Sequence, residues 1–372
     1  MSAIPVRRPR AAPGLRLSWR RRVVYIAIAV AGVFVVATAA FVVLDVYVHR
    51  KVQYEAGVNV WGYRGDVVGR KRAGEQRIVA LGGSTVFGYG LPWNESWPYY
   101  LEQKIAANEA SAARRVSVVN LGIPTDSART FVSTLDDYAY LEPDIAMFYE
   151  GYNDLGLDTN PPKNSTNPAV SHYLAWRHQS PIFRWTGYFP ILPLALNEKA
   201  SIMLHGRAGA DGEVAFRPDL ATRTTAGAMK SAADISVALE RRLGKLTDTD
   251  VRRSQTLDAG CGRWSQYCGA IEEAVQRALA RRQRVVVITQ PYFSDLHVDQ
   301  QHALATMMTA RFGSDPRVRY VNLGKLIDIH DTSVVYDGLH LTAVGNERVA
   351  EALLPTTLEM LRAPAALDAK AK

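Results

Sequence analysis

The sequence predicts an α/β fold on a central parallel sheet, preceded by one N-terminal transmembrane helix. Three observations predict it. Five short runs, at residues 77–82, 116–122, 144–150, 284–290 and 318–324, are almost continuously apolar, as parallel strands buried on both faces are. Helical patterns lie between the runs: Ile271, Val275, Ala278 and Leu279 recur at helical spacing. Residues 23–44 carry no charge. Strand and helix signals in alternation imply a doubly wound sheet, and 372 residues are enough for one sizeable domain of this kind.

The chain begins with a basic tail. Residues 1–22 hold seven arginines and no acid, and the other 350 residues hold 37 basic and 36 acidic side chains. The net charge of +8 is therefore a property of the tail. No basic groove is implied for the body, which argues against a nucleic-acid partner. The uncharged run, as a helix, would measure about 33 Å, close to the bilayer core. A transmembrane helix is expected over 23–45, with the arginines on the cytoplasmic side and the body outside. A cleaved signal peptide is the competing reading, since Ala37-Thr38-Ala39 suits a cleavage site. The run continues through Phe41-Val42-Val43-Leu44, longer than a signal peptide needs, and this favours the anchor.

Residues 46–76, with Gly, Arg and Lys interspersed, are expected to be a linker, and 77–362 the folded domain. Residues 155–230 break the strand–helix rhythm. They are rich in Pro, Gly, Trp and Tyr, and read as an insertion with short elements of its own. Within it, 181–196 is too interrupted by proline to cross a bilayer. Closing the core is favoured for it over lining a pocket or resting on a membrane surface. Residues 363–372 read as a frayed tail. Cys261 and Cys268 are the two cysteines. An oxidising compartment would let them pair, and two free thiols remain as open a reading. They give no metal-ligand spacing, and no metal or organic cofactor is expected.

Four segments carry the chemistry, each just past the C-terminus of an expected strand or opening the last helix. Gly82-Gly83-Ser84-Thr85 places a serine on a tight turn at a helix start, where its hydroxyl is exposed. Asn120-Leu121-Gly122 offers a backbone N–H where glycine permits close approach. Gly151-Tyr152-Asn153-Asp154 offers the Asn153 amide, with Asp154 taken as a structural hydrogen-bonding group. Asp337-Gly338-Leu339-His340 sets a carboxylate where it fixes an imidazole tautomer. Asp299-Gln300-Gln301-His302 has the same spacing but reads as a solvated helix face. His49, His172, His178, His205, His297 and His330 read as structural or exposed. For Trp93 and Trp97, core packing is favoured over stacking on substrate. Ligands of open α/β sheets bind at the C-terminal edge of the strands, where these segments converge.

Segment by segment, the chain resembles the SGNH hydrolase superfamily in its GDSL-like form. Ser84, Gly122, Asn153 and His340 match the four namesake positions in order, and Asp337 matches the acid. The resemblance covers about residues 77–362. It implies a flavodoxin-like three-layer sandwich that hydrolyses esters or thioesters, often on carbohydrate or lipid. One position departs: the best-known form has Asp before the serine, and here Gly83 stands there. That loss removes a hydrogen bond of the family. The Gly-Gly-Ser-Thr version resembles a bacterial, membrane-anchored subgroup.

The expected activity is a serine ester hydrolase with Ser84 as nucleophile and His340 as base. Asp337 orients the base, and an oxyanion hole forms from the Ser84 and Gly122 N–H groups and Asn153. The expected substrate is an acyl group, acetyl foremost, on an envelope carbohydrate or lipid. The alternatives are an O-acyltransferase acting on an envelope polysaccharide and a non-enzymatic envelope assembly protein. The expected location is the inner membrane, single-pass, with the domain on the periplasmic side. No protein partner is legible.

Overall fold

The computed structural model describes residues 18–108, 115–124, 126–155, 181–193, 196, 203, 261–292 and 294–362. Five strands form one sheet: β1 Gln76–Gly82, β2 Val116–Asn120, β3 Ile145–Tyr149, β4 Arg284–Ile288 and β5 Val318–Val321. Their order is β2-β1-β3-β4-β5, and every neighbouring pair is parallel. This is the flavodoxin-like order, whose switch point falls where β1 lies between β2 and β3. Ile78 pairs with both Val118 and Ile145, so all three chain reversals after these strands reach the same edge.

The helices make the outer layers. Among the described residues they are α1 Trp19–Ala56, α2 Ser84–Phe87, α3 Trp97–Ala107, α4 Phe131–Asp137, α5 Pro181–Thr186, α6 Ser265–Ala280, α7 Asp295–Phe312 and α8 Ala343–Arg362. Successive strand residues point to opposite faces, and the core divides accordingly. Val79, Leu81, Ala146 and Phe148 pack with Phe131 and Leu135 of α4, Ile271 and Val275 of α6, and Leu304 and Met308 of α7. Ile78, Ala80, Met147 and Tyr149 pack with Trp97 and Leu101 of α3 and Val349 and Leu353 of α8. The result is a three-layer sandwich with the sheet in the middle.

By its contacts the chain falls into two units, Met1–Tyr47 and Val48–Lys372. In the first, α1 exposes its apolar side chains, among them Val33, Phe34 and Val43. The helix is long and apolar enough to cross a membrane. In the second unit the stretch expected as a linker takes part in the fold. The last turns of α1 place Val52 and Ala56 against Val58, Phe87, Tyr89 and Ile191. Asn59, Tyr63 and Arg64 are also buried. The interspersed charges hid these apolar positions.

Much of the expected insertion over 155–230 lies outside the described residues, as do His172, His178 and His205, residues 1–17 and the tail 363–372. In the described part, Phe183 and Phe189 join the core cluster of the α4 face, and Ile182 and Trp185 are exposed. Cys261 and Cys268 pair as a disulfide with their Cα atoms 6.3 Å apart.

Candidate active site

The nucleophile turn follows directly from β1. Gly82 ends the strand and α2 begins at Ser84, whose carbonyl accepts the N–H of Gly88 at 2.9 Å. Gly88 has φ +74°, the left-handed conformation that glycine adopts without strain, and it ends α2 after one turn. Arg64 stabilises that end. Its guanidinium donates to the carbonyls of Ala56 (3.2 Å), Gly88 (2.7 Å), Phe87 and Leu91. Burial pushes its pKa down to about 9. The carbonyl dipoles are its counter-charge here.

Asp337 and His340 reach the same turn from the segment before α8. His340 is buried, and its Nε2 lies 2.8 Å from Ser84 Oγ. Its Nδ1 lies 2.7 Å from Asp337 Oδ2. An ionised carboxylate only accepts, so Nδ1 carries the proton and Nε2 is free to accept from the serine hydroxyl. Asp337 Oδ1 also accepts the N–H groups of His340 (2.6 Å) and Leu339 (3.0 Å). Burial would raise the Asp337 pKa, but these bonds and the His340 charge outweigh it and hold it below the usual carboxylate value. The imidazole is flanked by Tyr89, 5.1 Å between ring centroids, and by Tyr336, 6.0 Å and nearly parallel. Tyr336 OH donates to Tyr89 O at 2.7 Å, which ties the two flanks together.

Asn153 follows β3 and comes to the same edge. Its Nδ2 donates one hydrogen to Asp126 O at 2.7 Å. A primary amide has a second hydrogen to offer. Gly122 is brought against α2, since a Cβ on it would lie 2.5 Å from Phe87 N. Close approach is thus one reason for glycine here. Its N–H donates to Asn120 Oδ1 at 3.0 Å, so it reaches an oxyanion only by exchanging that bond. Asp154 is buried, and its Oδ2 accepts from Ala128 N at 3.2 Å, a structural bond as expected.

The Asp299–His302 motif needs a correction. His302 is exposed, but Gln300 and Gln301 are fully buried, so the segment is not simply a solvated face. Helical spacing puts His297, Gln300, Gln301 and Leu304 on one side of α7, and all four are buried. They pack behind the Asn153 turn: a Cβ on Gly151 would lie 2.4 Å from Gln301 Nε2 and 3.0 Å from His297 Nε2. Burial pushes the His297 pKa down to about 3, so it is neutral at neutral pH. Asp299 accepts from Trp264 Nε1 at 2.8 Å instead of orienting His302. Trp97 is core, as favoured. Trp93 lines a cavity of about 240 Å³ with Tyr63, Tyr99 and Glu102, and none of Ser84, Asp337 and His340 lines it.

Two supporting residues were not picked out by sequence. Gln290 donates to Thr85 Oγ1 at 2.7 Å and accepts from Tyr152 N at 2.8 Å, which ties the serine turn to the asparagine turn. A polar Thr289-Gln290 pair ending an apolar strand run was its signal. Glu150 is buried, and its Oε1 accepts the N–H groups of Gly151 (3.0 Å) and Asn153 (3.3 Å).

The sequence matches the family model of the GDSL-like lipase/acylhydrolases over residues 80–348. No curated protein sequence matches the chain. Among solved structures it is similar to a family 3 carbohydrate esterase from Clostridium thermocellum (11% identity, TM-score 0.42, covering 78% of this chain and 98% of that one). A lipolytic protein of the G-D-S-L family from Desulfitobacterium hafniense is also similar (12%, TM-score 0.39, 75% and 98%). So is a family 3 carbohydrate esterase from Talaromyces cellulolyticus (11%, TM-score 0.39, 77% and 98%). The family match spans well over half of the chain and includes Ser84, Gly122, Asn153, Asp337 and His340: the chain belongs to the GDSL-like lipase/acylhydrolase family and is a carboxylic ester hydrolase.

Proposed function

We propose that Ser84, His340 and Asp337 are the catalytic triad of this hydrolase, acting on an acyl ester, acetyl foremost, of an envelope carbohydrate or lipid. The observation that carries the reading is the continuous relay from Ser84 Oγ to His340 (2.8 Å) and on to Asp337 (2.7 Å). Ser84 Oγ attacks the ester carbonyl carbon while His340 Nε2 takes the hydroxyl proton. Asp337 holds the imidazole tautomer and stabilises the imidazolium. The negative charge on the former carbonyl oxygen is met by the Ser84 N–H and the second Asn153 amide hydrogen, with Gly122 joining after it leaves Asn120. Collapse of the tetrahedral intermediate breaks the bond to the alcohol, which departs with the proton from His340. Water, deprotonated by His340, then attacks the acyl-serine and releases the acid.

The proposed location is a membrane, with α1 as a single-pass anchor and the domain outside the cytoplasm. The seven arginines before the apolar helix support this orientation. The Cys261–Cys268 disulfide suits an oxidising compartment. The acyl preference is tested with p-nitrophenyl esters of rising chain length on the full-length chain in detergent. The reading expects the highest kcat/KM with acetate. A preference that climbs with chain length would replace acetyl with a long-chain lipid acyl group.

A further inference from the structure

The space beside the nucleophile where a residue-83 side chain would lie is already filled. A Cβ on Gly83 would sit 2.3 Å from Asn153 Nδ2 and 2.8 Å from Glu150 Oε2. No side chain at position 83 can coexist with these two groups where they stand. The Glu150 carboxyl therefore reaches, from the end of β3, the place that a carboxyl on the serine turn would otherwise occupy. We infer that Glu150 is the positioning residue of the oxyanion hole, its carboxyl entering the space that Gly83 leaves and holding the Asn153 turn against the nucleophile; this rests on the triad reading of Ser84.

Three further observations agree. The two bonds accepted by Oε1 are from Gly151 N and Asn153 N, so one oxygen fixes both ends of the turn that presents the amide. The backbone of Glu150 is fixed from behind, because Tyr267 OH donates to its carbonyl at 2.8 Å. The side chain is 1% exposed, and Oε2 has no hydrogen-bond partner among the described residues. Burial, with the charge of Asp154, pushes the Glu150 pKa well above the usual carboxylate value, more than the two N–H groups lower it. Oε1 is the accepting oxygen of the carboxyl. Glu150 touches no reacting atom; it acts through Asn153.

The test is a double-mutant cycle on the full-length chain in detergent, assayed with p-nitrophenyl acetate. Glu150→Ala should lower kcat by about 10²-fold, the loss that misplacement of a reacting geometry by about 1 Å brings, with KM held. In an Asn153→Ala background the same change should add less than about threefold, because the two residues act as one unit. Glu150→Gln keeps an accepting oxygen at this position, so it should restore most of what Glu150→Ala loses. Multiplicative losses in the cycle would overturn the inference, as would an effect confined to KM or a Gln variant no better than Ala. If Glu150→Ala does not fold, Gly83→Ala takes its place. Its added methyl should displace Asn153 and lower kcat at least about tenfold with KM held, and wild-type kcat in that variant would overturn the inference. Ser84→Ala is run alongside. Turnover retained there sinks the triad reading itself, whereas an inactive Ser84→Ala with a failed cycle sinks only the role of Glu150.

Discussion

His340 Nε2 lies 2.8 Å from Ser84 Oγ across 256 residues of sequence. Ser84 follows β1, and His340 reaches it from the segment between β5 and α8, although β3 and β4 lie between β1 and β5 in the sheet. His340→Ala should lower kcat by about 10⁴–10⁶-fold on a p-nitrophenyl ester. His302, which is exposed on α7, should tolerate alanine within about twofold. Parallel assays of the two variants decide between the two Asp-x-x-His motifs. An inactive His302→Ala beside an active His340→Ala would reverse the assignment.

Arg64 bonds four carbonyls around the end of α2. Arg64→Met would remove the guanidinium from all four carbonyls, of which Gly88 O keeps the N–H of Leu91 at 3.2 Å and Phe87 O keeps Asn120 Nδ2 at 3.5 Å. The expected cost is about 3 kcal/mol or more, read as a lower urea midpoint with an unchanged slope. A wild-type midpoint would show that water replaces the guanidinium at no cost.

The strands were legible in the sequence, because β1 to β4 are largely apolar runs, as parallel strands buried on both faces are, whereas β5 carries Arg319 and is only partly buried. Ser84 and Asn153 were, because each follows a strand within a short glycine-bearing segment, and the Asp337–His340 pair was, by its spacing around Gly338 just ahead of α8. Arg64, Glu150, Gln290 and the buried face of α7 were not. The partners of Arg64 and Gln290 lie far off in sequence: Gln290 joins Thr85 across 205 residues, for example; Glu150 bonds its own turn, but the space it enters is left by Gly83 on another strand end. Nothing local separates a polar side chain with a buried partner from one in water. The expected linker failed for a related reason, since its few apolar residues count only once the 87–91 turn and Ile191 are placed beside them.

His297 supplies a pH test. Its pKa falls from 6.5 to about 3 through burial. Between those values the unfolded chain binds a proton that the folded chain refuses, so stability falls as pH drops from about 6.5 toward 3. The loss is on the order of a few kcal/mol by the acid end. His297→Gln should remove this component, and the difference in denaturation free energy between variant and wild type should change with pH across that window. A difference independent of pH would mean that His297 titrates normally in the folded protein.

Asn153→Ala removes one proposed oxyanion donor and leaves the covalent route open. It should lower kcat by about 10²–10³-fold with little change in KM, because the bond forms chiefly in the transition state. Steady-state kinetics on the best ester of the panel separate the two constants. A change in KM alone would make Asn153 a substrate-binding group and end its oxyanion role.

The central claim is that Ser84 is the nucleophile, and the most direct measurement is the turnover of Ser84→Ala. The variant and the wild type are compared on the same ester, with matched folding by circular dichroism. With Ser84 Oγ as the proposed acyl-enzyme nucleophile, kcat should fall by about 10⁴–10⁶-fold while the fold is kept. Wild-type turnover by Ser84→Ala on every ester tried would contradict the account.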